Sequence, residues 1–75
     1  MDKRSLSIAG HRTSIALEPE FWLALETMAR QSDQTMAGLI RNIDETRHTT
    51  NLSSAARLAV LAWYQDQLEA IKTAD

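Results

Sequence analysis

Residues 12–22 read Arg-Thr-Ser-Ile-Ala-Leu-Glu-Pro-Glu-Phe-Trp, and this stretch decides the fold. Thr13, Ile15 and Leu17 alternate with Arg12, Ser14 and Ala16, a period of two that marks a half-buried strand. Pro19 then stands where a helix takes its first residue, and the acids Glu18 and Glu20 suit a helix N-terminus. Only helical patterns follow. A lone strand leaves its backbone groups unpaired, so it needs a partner. With no second convincing strand after it, the pattern predicts that the partner is the same strand of another copy. The expected fold class is mainly α with one short β-strand, paired between chains.

Working outward, residues 1–11 read as an N-terminal arm. Ser5, Leu6, Ser7 and Ile8 alternate weakly and offer an extension of the strand, with Gly10 allowing a bend. Downstream, Phe21, Trp22, Leu25, Met28 and Ala29 recur at helical spacing and predict a helix from about Pro19 to Gln31. Leu23 lies off that stripe. Residues 31–34 are a polar turn, and Thr35 is a good N-cap for a second helix carrying Met36, Leu39, Ile40 and Ile43. Gly38 weakens this helix, and a glycine there suggests close packing against another backbone. Residues 47–51 form a second break. Asn51 or Ser53 then caps a third helix from about Leu52 to Lys72. Between Ala55 and Tyr64 only Arg57 is charged. So apolar a helix is expected to bury two faces, one on its own subunit and one on another. The chain therefore divides into the arm at 1–11, a core at 12–46 and an additional C-terminal helix at 51–73.

The bulk properties narrow the function. Seventy-five residues allow one domain with a small core, for which oligomerisation is a common remedy. The hydrophobic fraction of 44% is ordinary for a globular chain. The absence of cysteine excludes a disulfide framework, a thiol nucleophile and a cysteine-zinc site. His11 and His48 have no ligand spacing around them, so no metal or other cofactor is expected. Ser, His and Asp residues show no triad spacing, and a chain this small has little room for a substrate cleft, so an enzyme is not expected. Neither a signal-peptide run nor a membrane span is present in the pattern, and the expected location is the cytoplasm. The net charge is −2. It is unevenly spread: Lys3, Arg4 and Arg12 against Asp2 leave residues 1–17 at +2, while five basic and nine acidic residues leave the remainder at −4. The positive end coincides with the strand.

A strand, a helix, a short turn and a second capped helix is the order of the ribbon-helix-helix proteins, and this sequence resembles that family, which includes Arc, MetJ and CopG. The resemblance runs from Arg12 to about Ile43. It rests on the alternation at 12–17, the Glu-Pro-Glu helix start, the stripe Phe21-Trp22-Leu25-Met28-Ala29, and Thr35 capping Met36-Leu39-Ile40. The remainder looks like a small bacterial subgroup with an added C-terminal helix. Its marks are Arg-Thr-Ser at 12–14, Leu-Glu-Pro-Glu-Phe-Trp at 17–22, Ile43-Asp44 and Asn-Leu-Ser-Ser-Ala at 51–55.

The resemblance implies a homodimeric transcriptional regulator, such as a repressor, that inserts a two-stranded antiparallel ribbon into the major groove of double-stranded DNA. Carried over by position, Arg12, Ser14 and Ala16 would face the bases. Thr35, Lys3 and Arg4 would meet phosphates. Thr13, Ile15, Leu17, Trp22, Leu25, Leu39 and Ile40 would form the dimer core. The groove face departs from the family's habit of two or three long polar side chains, since only Arg12 is long and Ala16 cannot hydrogen-bond.

Each assignment competes with a plainer one. Arg12 fits a bidentate contact to guanine, or a solvated charge that blunts a strand edge. Ser14 specifies little, and Ala16 is small enough to admit close approach or to touch a thymine methyl. Thr35 is first a helix cap, a role compatible with anion contact. Arg41 and Arg57 serve equally as phosphate flanks or surface pairs. His11 adjoins the groove-facing residues and reads as a plain surface histidine before a phosphate contact. Trp22 and Trp63 sit on apolar stripes and belong to packing rather than base stacking. The alternative function is a protein-interaction or oligomerisation module, antitoxin-like, that keeps the fold without reading DNA. Its partner would be another protein, or a further copy giving a tetramer through the C-terminal helix.

Overall fold

The computed structural model describes residues 1–47 and 49–73; His48 lies outside them. The elements are β1 (Asp2–Ile8), β2 (His11–Leu17), α1 (Pro19–Gln31), α2 (Met36–Thr46) and α3 (Leu52–Thr73). The three helices match the sequence pattern closely, but the chain has two strands rather than one. The expected arm is β1, which pairs antiparallel with β2 from Asp2↔Leu17 through Ser5↔Ser14 to Ile8↔His11. The partner of β2 is thus found within the same chain.

Two residues connect the strands, and both have positive φ: Ala9 at 51° and Gly10 at 82°. That backbone twist suits a two-residue hairpin between right-twisted strands. Glycine accepts it freely, whereas Ala9 carries a Cβ that disfavours the left-handed region. The register then sorts the side chains. Residues 4, 6 and 8 share the inner face with 13, 15 and 17.

The core lies beneath that face. Ile8, Ile15 and Leu17 join Trp22, Leu25, Met28 and Ala29 of α1, Leu39, Ile40 and Ile43 of α2, and Ala55, Ala56 and Val60 of α3. The residues expected to form a dimer core are buried inside one chain, except for Thr13, which is half-buried. No buried polar side-chain atom among the described residues lacks a partner.

Helix ends follow local chemistry. The α1 helix starts at Pro19, whose missing N–H costs nothing there. It ends in a Schellman arrangement: the Gln34 amide donates to the Ala29 carbonyl at 2.8 Å and Asp33 to Arg30 at 3.3 Å. Asp33, at φ 58°, occupies the left-handed position where glycine is usual. The Thr35 hydroxyl caps α2 by accepting from the Gly38 amide at 3.0 Å. That cap also explains Gly38. A Cβ there would stand 3.1 Å from the Thr35 hydroxyl oxygen, so the close neighbour is the cap rather than another helix's backbone. Asn51 caps α3, its side-chain oxygen accepting from the Ser54 amide at 3.2 Å.

The α3 helix buries one face, not two. Ala55, Ala56 and Val60 are buried and Trp63 is half-buried, while Leu58, Leu61, Tyr64, Leu68 and Ile71 are all at least 45% exposed. A second face would need a surface outside this chain.

Candidate nucleic-acid interface

The hairpin has an outer face made of three opposed pairs: Lys3 with Ala16, Ser5 with Ser14, and Ser7 with Arg12. All six are exposed except Ala16, which is half-buried. The Ser5 and Ser14 hydroxyls meet across the ribbon at 3.1 Å. The face carries two cations and no carboxylate, so the rest of the chain holds −4 of the net −2.

Four of the five other arginines contrast with this face. Arg4 points inward instead: its guanidinium lies 4.6 Å from the Trp22 ring centre and pairs with Glu26 at 2.9 Å. The Trp22 indole N–H donates to the Asp2 carbonyl at 2.9 Å, fastening the start of β1 to α1. Arg41 pairs with Glu45 at 3.1 Å, and Arg47 with Asp44 at 2.8 Å. Arg57 reaches back from α3 to Glu18 at 3.0 Å and lies over the Phe21 ring. These charges are engaged on the protein itself. Lys3 and Arg12 make no ion pair among the described residues.

Glu18 is held below the usual carboxylate range, first by a hydrogen bond from its own backbone amide and then by the Arg57 guanidinium. Its ionised form therefore helps join the head of α1 to α3.

Of the expected site residues, the structure brings Arg12, Ser14, Ala16 and Lys3 onto one surface. It does not bring Arg4 there. Thr35 is exposed at the head of α2 in its capping role. His11 is exposed beside the turn, opposite Ile8. Ser5 and Ser7 escape the sequence reading as face residues. Their signal was the alternation with Leu6 and Ile8, followed by a two-residue connection ending in glycine.

The ribbon-helix-helix domain model matches residues 1–64. The chain belongs to the ribbon-helix-helix family, and its α3 runs beyond the matched region. No curated protein and no solved structure gives a significant match.

Proposed function

We propose that this protein is a DNA-binding transcriptional regulator of the homodimeric kind, a repressor in the bacterial cytoplasm, and that it does no catalysis. The observation that carries the reading is the outer hairpin face, whose two unpaired cations and small hydroxyl side chains sit on a ribbon narrow enough for the major groove. Arg12 is the base-reading residue with the greatest reach, and Ser14 and Ala16 let the ribbon approach. Lys3 meets a phosphate. Thr35 offers the amides at the head of α2 to another. No described helix is long and apolar enough to cross a membrane.

The test is selection of random duplexes by the purified protein at near-physiological salt, with Arg12→Ala in parallel. A recovered site that Arg12→Ala binds about 5- to 150-fold more weakly is expected, the equivalent of a bidentate arginine–guanine contact of about 1–3 kcal/mol. An empty selection from a folded protein refutes the reading.

One observation favours a second role. Leu61, Tyr64, Leu68 and Ile71 follow a 3-4-3 spacing along the exposed side of α3. That spacing suits pairing with another helix, in a tetramer or with a different protein. A strict dimer in light scattering would exclude the tetramer.

A further inference from the structure

The C-terminal half of α3 leaves the body of the chain. From Leu61 to Lys72 every residue is exposed except Trp63, which is half-buried. A helical stretch of about 12 residues is marginal in water without cover. Its apolar spacing says what covers it. Leu61 and Ile71 each stand five residues from Asp66, and Tyr64 and Leu68 each stand two from it. The stripe is therefore symmetric about residue 66. A two-fold contact requires a patch that is its own complement, and this stripe meets the requirement when two copies of the helix run antiparallel. We infer that α3 pairs antiparallel with α3 of a second copy, with the two-fold axis at residue 66. Leu61 of one copy then packs on Ile71 of the other, and Tyr64 on Leu68. The inference rests on the helix-pairing role proposed above and commits it to one partner and one direction. It is independent of the DNA reading.

Three further observations carry it. The first is area. Leu58, Leu61, Tyr64, Leu68 and Ile71 are between 45% and 68% exposed. At about 200 Å² for a large side chain, they leave roughly 550 Å² uncovered on each chain. A pair that covers both stripes buries roughly 1,100 Å², which reaches the size of a specific interface. The second is charge. Asp66 and Glu69 fall on the side of α3 away from the stripe, while Gln65, Gln67 and Lys72 flank it. Antiparallel pairing brings no like charges together. It sets Lys72 of one copy beside Leu58 of the other, where the aliphatic stem of the lysine covers the leucine. The third is direction. Arg57 lies one turn before Leu61 on the same side of α3, and it carries Glu18 and Phe21 of α1. The body thus rises beside one end of the stripe. Parallel pairing would press two such bodies together, whereas antiparallel pairing sets them at opposite ends. Tyr64 packs edge-on against Trp63 with ring centres 4.9 Å apart, and Trp63 packs against the core, so the stripe is fixed to the fold.

Two experiments on the full chain test this. Leu61→Glu with Leu68→Glu changes two exposed positions and should leave the circular dichroism spectrum unchanged. Light scattering should then give half the mass of the parent. An unchanged mass, or a parent that is already a monomer, overturns the inference and the helix-pairing of copies with it, and leaves the stripe to a different protein.

The second experiment reads direction without disturbing the stripe. The chain has no cysteine, so Gln65→Cys and Lys72→Cys each introduce a single thiol. Across the two-fold axis the thiols at 65 are neighbours. Those at 72 are twelve residues apart along the axis, roughly 18 Å at about 1.5 Å per residue. A short thiol-to-thiol cross-linker should join two chains at 65 at least tenfold more than at 72. Linkage at 72 as strong as at 65 means parallel pairing, and no linkage at 65 means no such axis. Either overturns the inference. If the mass halves in the first experiment and the linkage pattern fails in the second, copies pair through α3 in another way, and only this inference falls.

Discussion

Trp22→Phe tests how the hairpin is supported from below. Trp22 is 1% exposed, and its ring does three things at once. It fills the space under the hairpin, donates its indole N–H to the Asp2 carbonyl, and carries the Arg4 guanidinium on its face. Phenylalanine keeps the aromatic face but loses the donor and part of the ring. The lost hydrogen bond costs about 1 kcal/mol. The missing ring atoms and the space they leave cost about 1.5 kcal/mol. The weaker cation–π contact adds about 0.5 kcal/mol, at the low end because Arg4 is partly exposed. The total is about 3 kcal/mol, a large share of the roughly 4–11 kcal/mol expected for 75 residues.

The assay is urea unfolding followed by circular dichroism at matched protein concentrations, since association would shift the midpoint. Fluorescence is unsuitable because the substitution removes one of two tryptophans. Hydrogen exchange should show the loss concentrated in β1, whose first carbonyl is the one released. A destabilisation below about 0.5 kcal/mol, or exchange unchanged in β1, would refute the claim that Trp22 fastens the hairpin to α1.

Four further outcomes follow from the same structure. Asp33→Gly relieves a left-handed residue at the end of α1 and should raise stability by about 0.5–1 kcal/mol, seen as a melting point several degrees higher. Thr35→Ala removes the α2 cap and should cost about 1 kcal/mol in the same measurement. The Glu18–Arg57 tie should be present above the ordinary glutamate pKa and fade as pH falls through the depressed folded value, so Glu18→Gln should flatten the acid limb of the stability curve. Lys3→Gln should weaken DNA binding evenly across sequences and reduce the salt slope by about 1 for each hairpin engaged, whereas Arg12→Ala should also relax sequence preference.

Helices were legible because each carries its own punctuation. Pro19 starts α1, Thr35 caps α2, Asn51 caps α3, and the apolar residues between recur at helical spacing. The hairpin was half legible. In β2 the inner-face positions beyond the turn residue His11 are a threonine and two apolar residues, so period two is plain. In β1 the inner face includes Arg4, which covers the Trp22 ring rather than filling the core, and Asp2, which contributes its carbonyl. Those charges make the segment look like a solvated arm. The turn concealed itself too, because Ala9 adopts a positive φ that its residue type disfavours. The site inherits the same division. Arg12, Ser14 and Ala16 could be placed from β2 alone, whereas Ser5 and Ser7 become face residues only once β1 is known to pair.

The charge distribution bears on how such a protein would choose DNA. Four of the arginines are held by carboxylates on the protein, at the foot of β1, along α2 and between α1 and α3. Lys3 and Arg12 remain on the outer hairpin face, against a body carrying −4. Sequence-independent attraction to phosphates scales with the number of cations that release counterions, and two per hairpin is few. If the proposed DNA reading holds, most of the binding free energy would come from close base contacts and from the number of copies engaged together. Weak non-specific binding raises the ratio of specific to non-specific affinity, which is the quantity that governs target choice among many competing sites. An exposed apolar stripe on α3 fits this economy of charge. Joining more hairpins in one assembly multiplies short, weak readings into a selective one without adding cations that would hold the protein to every sequence.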